Sequence, residues 1–204
     1  MTRMYVAFLR AINVAGHAIV KMDALKASFD AAGCASVRTY IQSGNVLFEC
    51  SETQATAVFR KIQAQLRLLV GGEPTILYRT IEELERLVKA KSFSALGSAP
   101  DTKRYVTFLS GPPEKMPRFP LVSAKEALEA VAIKNLDVLV VSGRKKNGFY
   151  GFPNNFIEKE LGVSGTTRNW STVTKIVELA RHEKIMTKPA AVVKDARRRK
   201  GLVC

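Results

Sequence analysis

Three cysteines, two histidines and one tryptophan are spread over 204 residues, and each scarcity closes off a class of function. Cys34, Cys50 and Cys204 are odd in number and form no CxxC pair. That pattern suits reduced thiols packed as small hydrophobes in a cytoplasmic protein, not a disulfide framework. With only His17 and His182 beside scattered cysteines, and no HxxxH spacing, no metal site and no cofactor are expected. Walker, dinucleotide and GxSxG signatures are missing too, as is a recognisable nucleophile–base pair. No apolar run approaches the ~20 residues of a membrane span. The N-terminus enters a strand-like pattern with no signal peptide ahead of it, which again suggests the cytoplasm.

What the chain has in excess is positive charge. The formal net charge is +14, and it is unevenly spread. Residues 1–100 carry 12 Lys/Arg against 8 Asp/Glu, residues 101–183 carry 13 against 9, and residues 184–204 carry 7 against 1. Nearly half the excess therefore lies in a short basic tail that includes Arg197-Arg198-Arg199-Lys200. Such a tail either solubilises the chain or attracts polyanions. With 47% hydrophobic residues, the remainder can bury a core.

The strongest internal signal is a repeated phrase. Tyr5-Val6-Ala7-Phe8-Leu9 returns as Tyr105-Val106-Thr107-Phe108-Leu109, and Ile41-Gln42-Ser43-Gly44 is echoed by Val140-Val141-Ser142-Gly143. Two matches at nearly one offset suggest a duplicated unit. In the first copy, residues 4–12 read as a strand. Met22, Leu25, Phe29 and Ala32 mark one helical face before Gly33. Val37 to Ile41 and Val46 to Phe48 read as strands joined through Ser43-Gly44-Asn45. Val58, Phe59, Ile62, Leu66 and Leu69 mark a second helix, capped by Ser51 or Thr53 and stopped at Gly71-Gly72. Thr75 to Tyr78 is a short strand, and Thr80-x-x-Glu83 opens a further helix as a capping box. The order is βαββαβ, the ferredoxin-like arrangement.

Residues 92–102 read as a linker. In the second copy, Arg104 to Leu109 is a strand and Ser123-x-x-Glu126 is expected to open a helix. Leu136 to Val141 and Phe149 to Phe152 are expected as strands around the basic turn Gly143 to Gly148. Asn154 is expected to cap a helix ending at Gly162. Thr166 to Asn169 is a short strand, and Val173, Ile176, Val177 and Ala180 give a last helix. The expected architecture is α+β: two related ferredoxin-like lobes with antiparallel sheets, residues 1–92 and 103–183, followed by the tail 184–204.

Three segments are more polar than packing requires. Arg10, Asn13, Gly16, His17 and Lys21 lie between a strand and a helix start, where unpaired N–H groups favour anions; a satisfied turn is the alternative. Arg38, Tyr40 and Gln42 share one strand face by alternation, ahead of Ser43 and Asn45. That face resembles surfaces that stack single-stranded RNA, though it offers one aromatic only. Arg168 and Asn169 precede the only Trp at the entry to the last helix, where Arg168 either holds a carboxylate or phosphate or bridges the lobes.

Phe8-Leu9-Arg10-Ala11-Ile12-Asn13-Val14, Tyr40-Ile41-Gln42-Ser43-Gly44-Asn45-Val46, and Thr166-Thr167-Arg168-Asn169-Trp170 with Thr172-Val173 resemble the hallmark stretches of the domain-of-unknown-function 1697 family of bacterial proteins. Ala15 and Ser171 stand where that pattern often has Gly and Asn. The resemblance spans roughly residues 3–182. It implies a duplicated ferredoxin-like fold in a cytoplasmic protein, and no activity, cofactor or catalytic residue.

Three functions follow as expectations. Charge points to a polyanion or nucleic-acid binding protein. Convergence of the polar segments on one cleft would instead mark a small anionic-ligand site or an enzyme, with Arg10, Asn13, Gly16, His17, Lys21, Gln42, Ser43, Asn45, Arg168 and Asn169 as ligand-binding residues. If those segments only bond the lobes together, the chain is a non-catalytic interaction module.

Overall fold

The computed structural model describes residues 1–10, 12, 20–90, 93 and 101–186, with the side chains of residues 183–186 left aside. The repeated phrase forms the central strand of each of two antiparallel sheets. In the first sheet, strand β1 (Thr2–Leu9) lies between β3 (Asn45–Ser51) and β4 (Ile76–Thr80), with β2 (Ala35–Tyr40) outside β3. In the second, β5 (Lys103–Leu109) lies between β8 (Asp137–Ser142) and β9 (Gly165–Asn169). Beyond β8 come β7 (Leu128–Lys134) and the short β6 (Leu121–Ser123). Helices α1 (Met22–Ala31), α2 (Ala55–Val70), α3 (Ile81–Lys89), α4 (Asn154–Leu161) and α5 (Trp170–Met186) complete the described residues. The class is α+β, with sheets of four and five strands and five helices among those residues.

Strand alternation divides the repeated phrase between two cores. Tyr5, Ala7 and Leu9 face α1 and α2, packing with Leu25, Phe29, Ile62 and Leu66. Val6 and Phe8 point the other way, into a shared seam where they meet Val106 and Phe108, with α3 and α5 contributing Leu84, Leu87, Val173 and Ile176. Tyr105 and Leu109 face away from that seam, toward Ile157 and Leu161 of α4. The two sheets therefore pack across the seam, and Phe8 stacks on Phe108 with ring centroids 4.1 Å apart and an interplanar angle of 9°.

The β2–β3 hairpin turns where Ser43-Gly44-Asn45 predicts. Gly44 has φ of +71°, and a Cβ there would meet Ile12 at 2.8 Å and Leu9 at 2.9 Å. Glycine alone fits both the backbone and the space. The capping box at Thr80 and Glu83 forms as expected, with both reciprocal hydrogen bonds.

Three expectations are corrected in the second half. Ser123-x-x-Glu126 opens no helix. The Glu126 N–H donates to Ser123 Oγ at 3.4 Å, Ala127 takes φ of +52°, and the chain reverses into β7, pairing Ser123 with Leu128. A capping pattern closes a turn here because alternation then buries Leu128 and Ala130 with Glu129 outside. A strand over Phe149 to Phe152 also fails. The basic turn folds back on itself through Lys145 N–H to Phe149 O, 2.8 Å, leaving one bridge, Arg144 to Tyr150. Asp101 pins that turn, accepting from Arg144 and from Tyr150 Oη. Finally, Asn154 is the first residue of α4 rather than its cap, which is Pro153. Asn154 Oδ1 accepts from Thr167 Oγ1 instead, at 3.3 Å. At the other helix with an expected cap, Ser51 and Thr53 bond to each other, and α2 follows a short 3-10 turn over 52–54 without a side-chain cap. The expected linker is described only at Phe93, Asp101 and Thr102; Phe93 is buried, its ring edge-on to Trp170 at 4.9 Å.

Candidate functional site

Two arginines cross the seam from equivalent places. Arg79 is the fourth residue of β4 and lies opposite Val6; Arg168 is the fourth of β9 and lies opposite Val106. Both are buried. Each guanidinium lies over the other lobe's seam phenylalanine, Arg79 at 5.4 Å from the Phe108 centroid and Arg168 at 5.5 Å from that of Phe8. Arg79 donates from Nε to Asp137 Oδ1 at 2.8 Å and from Nη2 to the Leu109 and Leu136 carbonyls. Arg168 donates from Nε to Asn45 Oδ1 at 2.6 Å. Its Nη1 bonds Thr166 Oγ1 and the Thr167 carbonyl, and its Nη2 the Leu9 and Ser43 carbonyls. Asp137 lies opposite Phe108, as Asn45 lies opposite Phe8.

The two boxes share a geometry and differ in charge. Arg79 faces a carboxylate; among the described residues Arg168 bonds only neutral groups. Burial pulls the Arg168 pKa down to about 10, which leaves it a cation at neutral pH. All five of its N–H groups are engaged. Its charge is buried, so its field is screened little.

That field opens into a cleft of about 460 Å³ between the lobes. The first lobe lines it with Leu9, Arg10, Ile12, Ile41 and Ser43. The second contributes Phe152, Asn154 and Asn155 near the start of α4, and Thr166, Thr167, Arg168, Asn169 and Thr172 around the start of α5. Two helix N-termini thus converge there, each with partial positive charge. No acid lines the cleft among the described residues. The nearby Glu158 is already engaged: it takes a two-pronged contact from Arg10, at 2.6 and 3.0 Å, and a hydrogen bond from the Gly165 N–H at 2.7 Å.

Of the residues singled out from sequence, Arg10, Ser43, Arg168 and Asn169 line this cleft, and Asn45 sits behind it on Arg168. Asn45 Nδ2 donates to the Tyr40 carbonyl and to Ser43 Oγ, which fixes the turn. Lys21, the residue before α1, and Gln42, in the hairpin turn, are exposed and do not line the cleft. Asn13, Gly16 and His17, and most of the basic tail, fall outside the described residues. The strand face likened to RNA-stacking surfaces is only partly open, with Arg38 exposed. Tyr40 packs against the seam core, and β2 ends there, with Ile41 turning to φ of +50° so that Gln42 leaves the strand.

Sequence reading missed Arg79, Asp137, Phe152, Asn155 and Glu158. For Arg79 a signal existed: Tyr78-Arg79-Thr80 echoes Thr167-Arg168-Asn169, each placing a charge at an inward strand position.

The sequence profile of the family described as Protein of unknown function (DUF1697) matches residues 1–138 of the chain. Among solved structures, the conserved bacterial protein SP0830 from Streptococcus pneumoniae is similar, with a TM-score of 0.56 at 20% identity, covering 88% of this chain and 99% of that one. At that identity the likeness extends to the fold alone. No curated protein matches. No helix among the described residues is long and apolar enough to cross a membrane.

Proposed function

The chain belongs to the DUF1697 family of proteins of unknown function, and from that premise we propose that it binds a small anion in the cleft between its lobes. The observation that carries this reading is the unequal pair of arginine boxes. Where Arg79 has Asp137 as internal counter-ion, Arg168 has the neutral Asn45. A buried cation is costly unless paired, and the open side of the Arg168 box is the cleft. An anion there completes the charge balance that Asp137 completes on the other side. It would bond to the amides of Asn154, Asn155 and Asn169 and the hydroxyls of Ser43 and Thr172, while Arg168 acts through its field. The described lining groups recognise and orient, so we propose binding rather than a named reaction.

The matched arginines, phenylalanines and strand orders also support reading the lobes as copies of one ferredoxin-like unit, residues 1–92 and 103–183. In the second copy the segment through β6 stands where the first has α1, and β7 takes the place of β2. The free thiols of Cys34 and Cys50 fit a cytoplasmic location, and the family resemblance fits a bacterial protein.

Asn155→Asp tests the site. Asn155 is exposed in the first turn of α4, where a carboxylate favours the helix by ~0.3–1 kcal/mol, so the variant is expected to fold. Calorimetric titration with acetate, inorganic phosphate and citrate is expected to show binding to the wild type and at least tenfold weaker binding to Asn155→Asp. Equal binding to both proteins, or none to either, overturns the reading.

A second reading, polyanion binding, rests on the charge of residues 184–204. It predicts oligonucleotide affinity that falls steeply with salt, is lost with the tail and survives Asn155→Asp.

A further inference from the structure

Resting on the anion-site reading, we infer that the ligand also carries a flat aromatic ring, held at the cleft mouth between Phe152 and Ile41. These two apolar side chains come from different lobes, both line the cleft, and both are exposed to solvent, at 59% and 51%. Singly exposed apolar residues are ordinary, but two of them from opposite walls of one polar cavity give it an apolar binding edge.

Neither residue is there by default. Ile41 holds φ of +50°, a left-handed conformation that is a genuine outlier for a β-branched residue. Backbone strain of this kind collects at ligand clamps. An Asn or Gly at position 41 would satisfy the turn without strain, so the strained residue presents an apolar group that the turn itself does not need. Phe152 is equally preset. Its ring meets Tyr105 edge-on at 5.9 Å. The preceding Gly151 lies so close to the turn between β6 and β7 that a Cβ would stand 2.1 Å from the Glu126 carbonyl oxygen. The backbone that carries Phe152 is therefore closely packed, and it sets the ring at the cleft mouth against Tyr105.

Size points the same way. A cleft of about 460 Å³ lies within the ~300–1,000 Å³ typical of sites for whole organic ligands. A lone acetate or phosphate leaves most of it to water. Charge recognition occupies the inner wall, at Arg168 and the start of α4; Phe152 and Ile41 offer the complementary apolar edge. An aryl carboxylate or an aryl-bearing phosphate matches both ends.

The test compares naphthoate, cyclohexanecarboxylate, acetate and the neutral naphthalenemethanol by calorimetric titration against the wild type, Phe152→Ala and Ile41→Asn. Both substituted residues are solvent-exposed, so the variants are expected to fold. Naphthoate is expected to bind the wild type at least about tenfold more tightly than either non-aromatic acid, given the worth of stacked aromatic contacts. Phe152→Ala and Ile41→Asn are each expected to weaken naphthoate by roughly fivefold to tenfold and leave acetate unchanged. Equal affinity for naphthoate and cyclohexanecarboxylate, or no effect of Phe152→Ala, overturns the aromatic inference and leaves the anion site standing. Naphthalenemethanol binding as tightly as naphthoate overturns the anion reading on which the inference rests. Absence of binding by all three acids overturns both.

Discussion

Arg79 and Asp137 form an ion pair across the seam, Nε to Oδ1 at 2.8 Å, with both side chains nearly inaccessible to water. Burial raises the Asp137 carboxyl above its ordinary value, against the opposing pull of Arg79. Removing one partner of such a pair is therefore far more damaging than neutralising the acid. Arg79→Leu strands a buried carboxylate and is expected to cost ~3–5 kcal/mol by urea denaturation. Asp137→Asn recreates the neutral arrangement that Arg168 and Asn45 already adopt and is expected to cost much less. A raised native pKa means that stability from this group is full below the unfolded value and declines as pH rises through the native one. The deficit of Asp137→Asn against the wild type is accordingly expected to shrink from pH 4 toward neutrality; a deficit that grows would contradict the assignment.

Phe8 and Phe108 are the apolar counterpart of that pair. Each is fully buried, and they stack in the middle of the seam. Either Phe→Ala change is expected to cost ~3–5 kcal/mol. The double variant is expected to show a coupling of about 0.5–1.5 kcal/mol. Strictly additive losses would mean that the rings do not support one another.

The first lobe was more legible in the sequence than the second, for a physical reason. Its helices announce themselves through Leu25 and Phe29, then through Val58, Ile62 and Leu66, at helical spacing, and its hairpin through Gly44. In the second lobe Ser123-x-x-Glu126 mimics a helix start, and only the left-handed Ala127 and the pairing of Ser123 with Leu128, held in turn against Ser142 of β8, reveal a hairpin. Local pattern could not weigh that long-range pairing. The cleft was partly visible, because Arg10, Ser43 and Arg168 sit in polar segments. Its other wall was hidden, since Phe152 and Asn155 look like ordinary turn and helix residues until the lobes are packed. The asymmetry between Asp137 and Asn45 needs the register of both sheets to be seen at all.

Ile41 carries a cost that can be measured. A left-handed conformation costs an ordinary L-residue about 1–2 kcal/mol, and Asn tolerates it. Ile41→Asn is expected to raise stability by roughly 1 kcal/mol, read as a higher urea midpoint at unchanged slope. No gain, or a loss, would show that the side chain's contacts outweigh the backbone strain.

Cys34 is expected to be chemically quiet. Burial is the main cause that pushes its thiol up to about 12, reinforced by Cys50 and Asp30. Nucleophilic reactivity needs the thiolate, which is then scarce at pH 8. Peptide mapping after iodoacetamide treatment is expected to show Cys34 modified at least ~100-fold more slowly than in urea-unfolded protein. Labelling at the unfolded rate would contradict this environment.

A cleft between two lobes ordinarily invites a hinge. Here the same seam that forms the cleft forbids one. Arg168 bonds the Leu9 and Ser43 carbonyls from the opposite lobe, Arg79 bonds those of Leu109 and Leu136 in return, and the phenylalanines stack between them. Spreading the lobes would strip two buried guanidinium groups of their cross-lobe acceptors at once. Among the described residues the mouth has no hinge to close it, and binding of the proposed ligand is expected to be a single collision rather than capture followed by closure. Stopped-flow traces should then be single exponentials whose rate climbs linearly with ligand concentration, and how long a ligand stays is decided by its own contacts, with no domain motion to wait for.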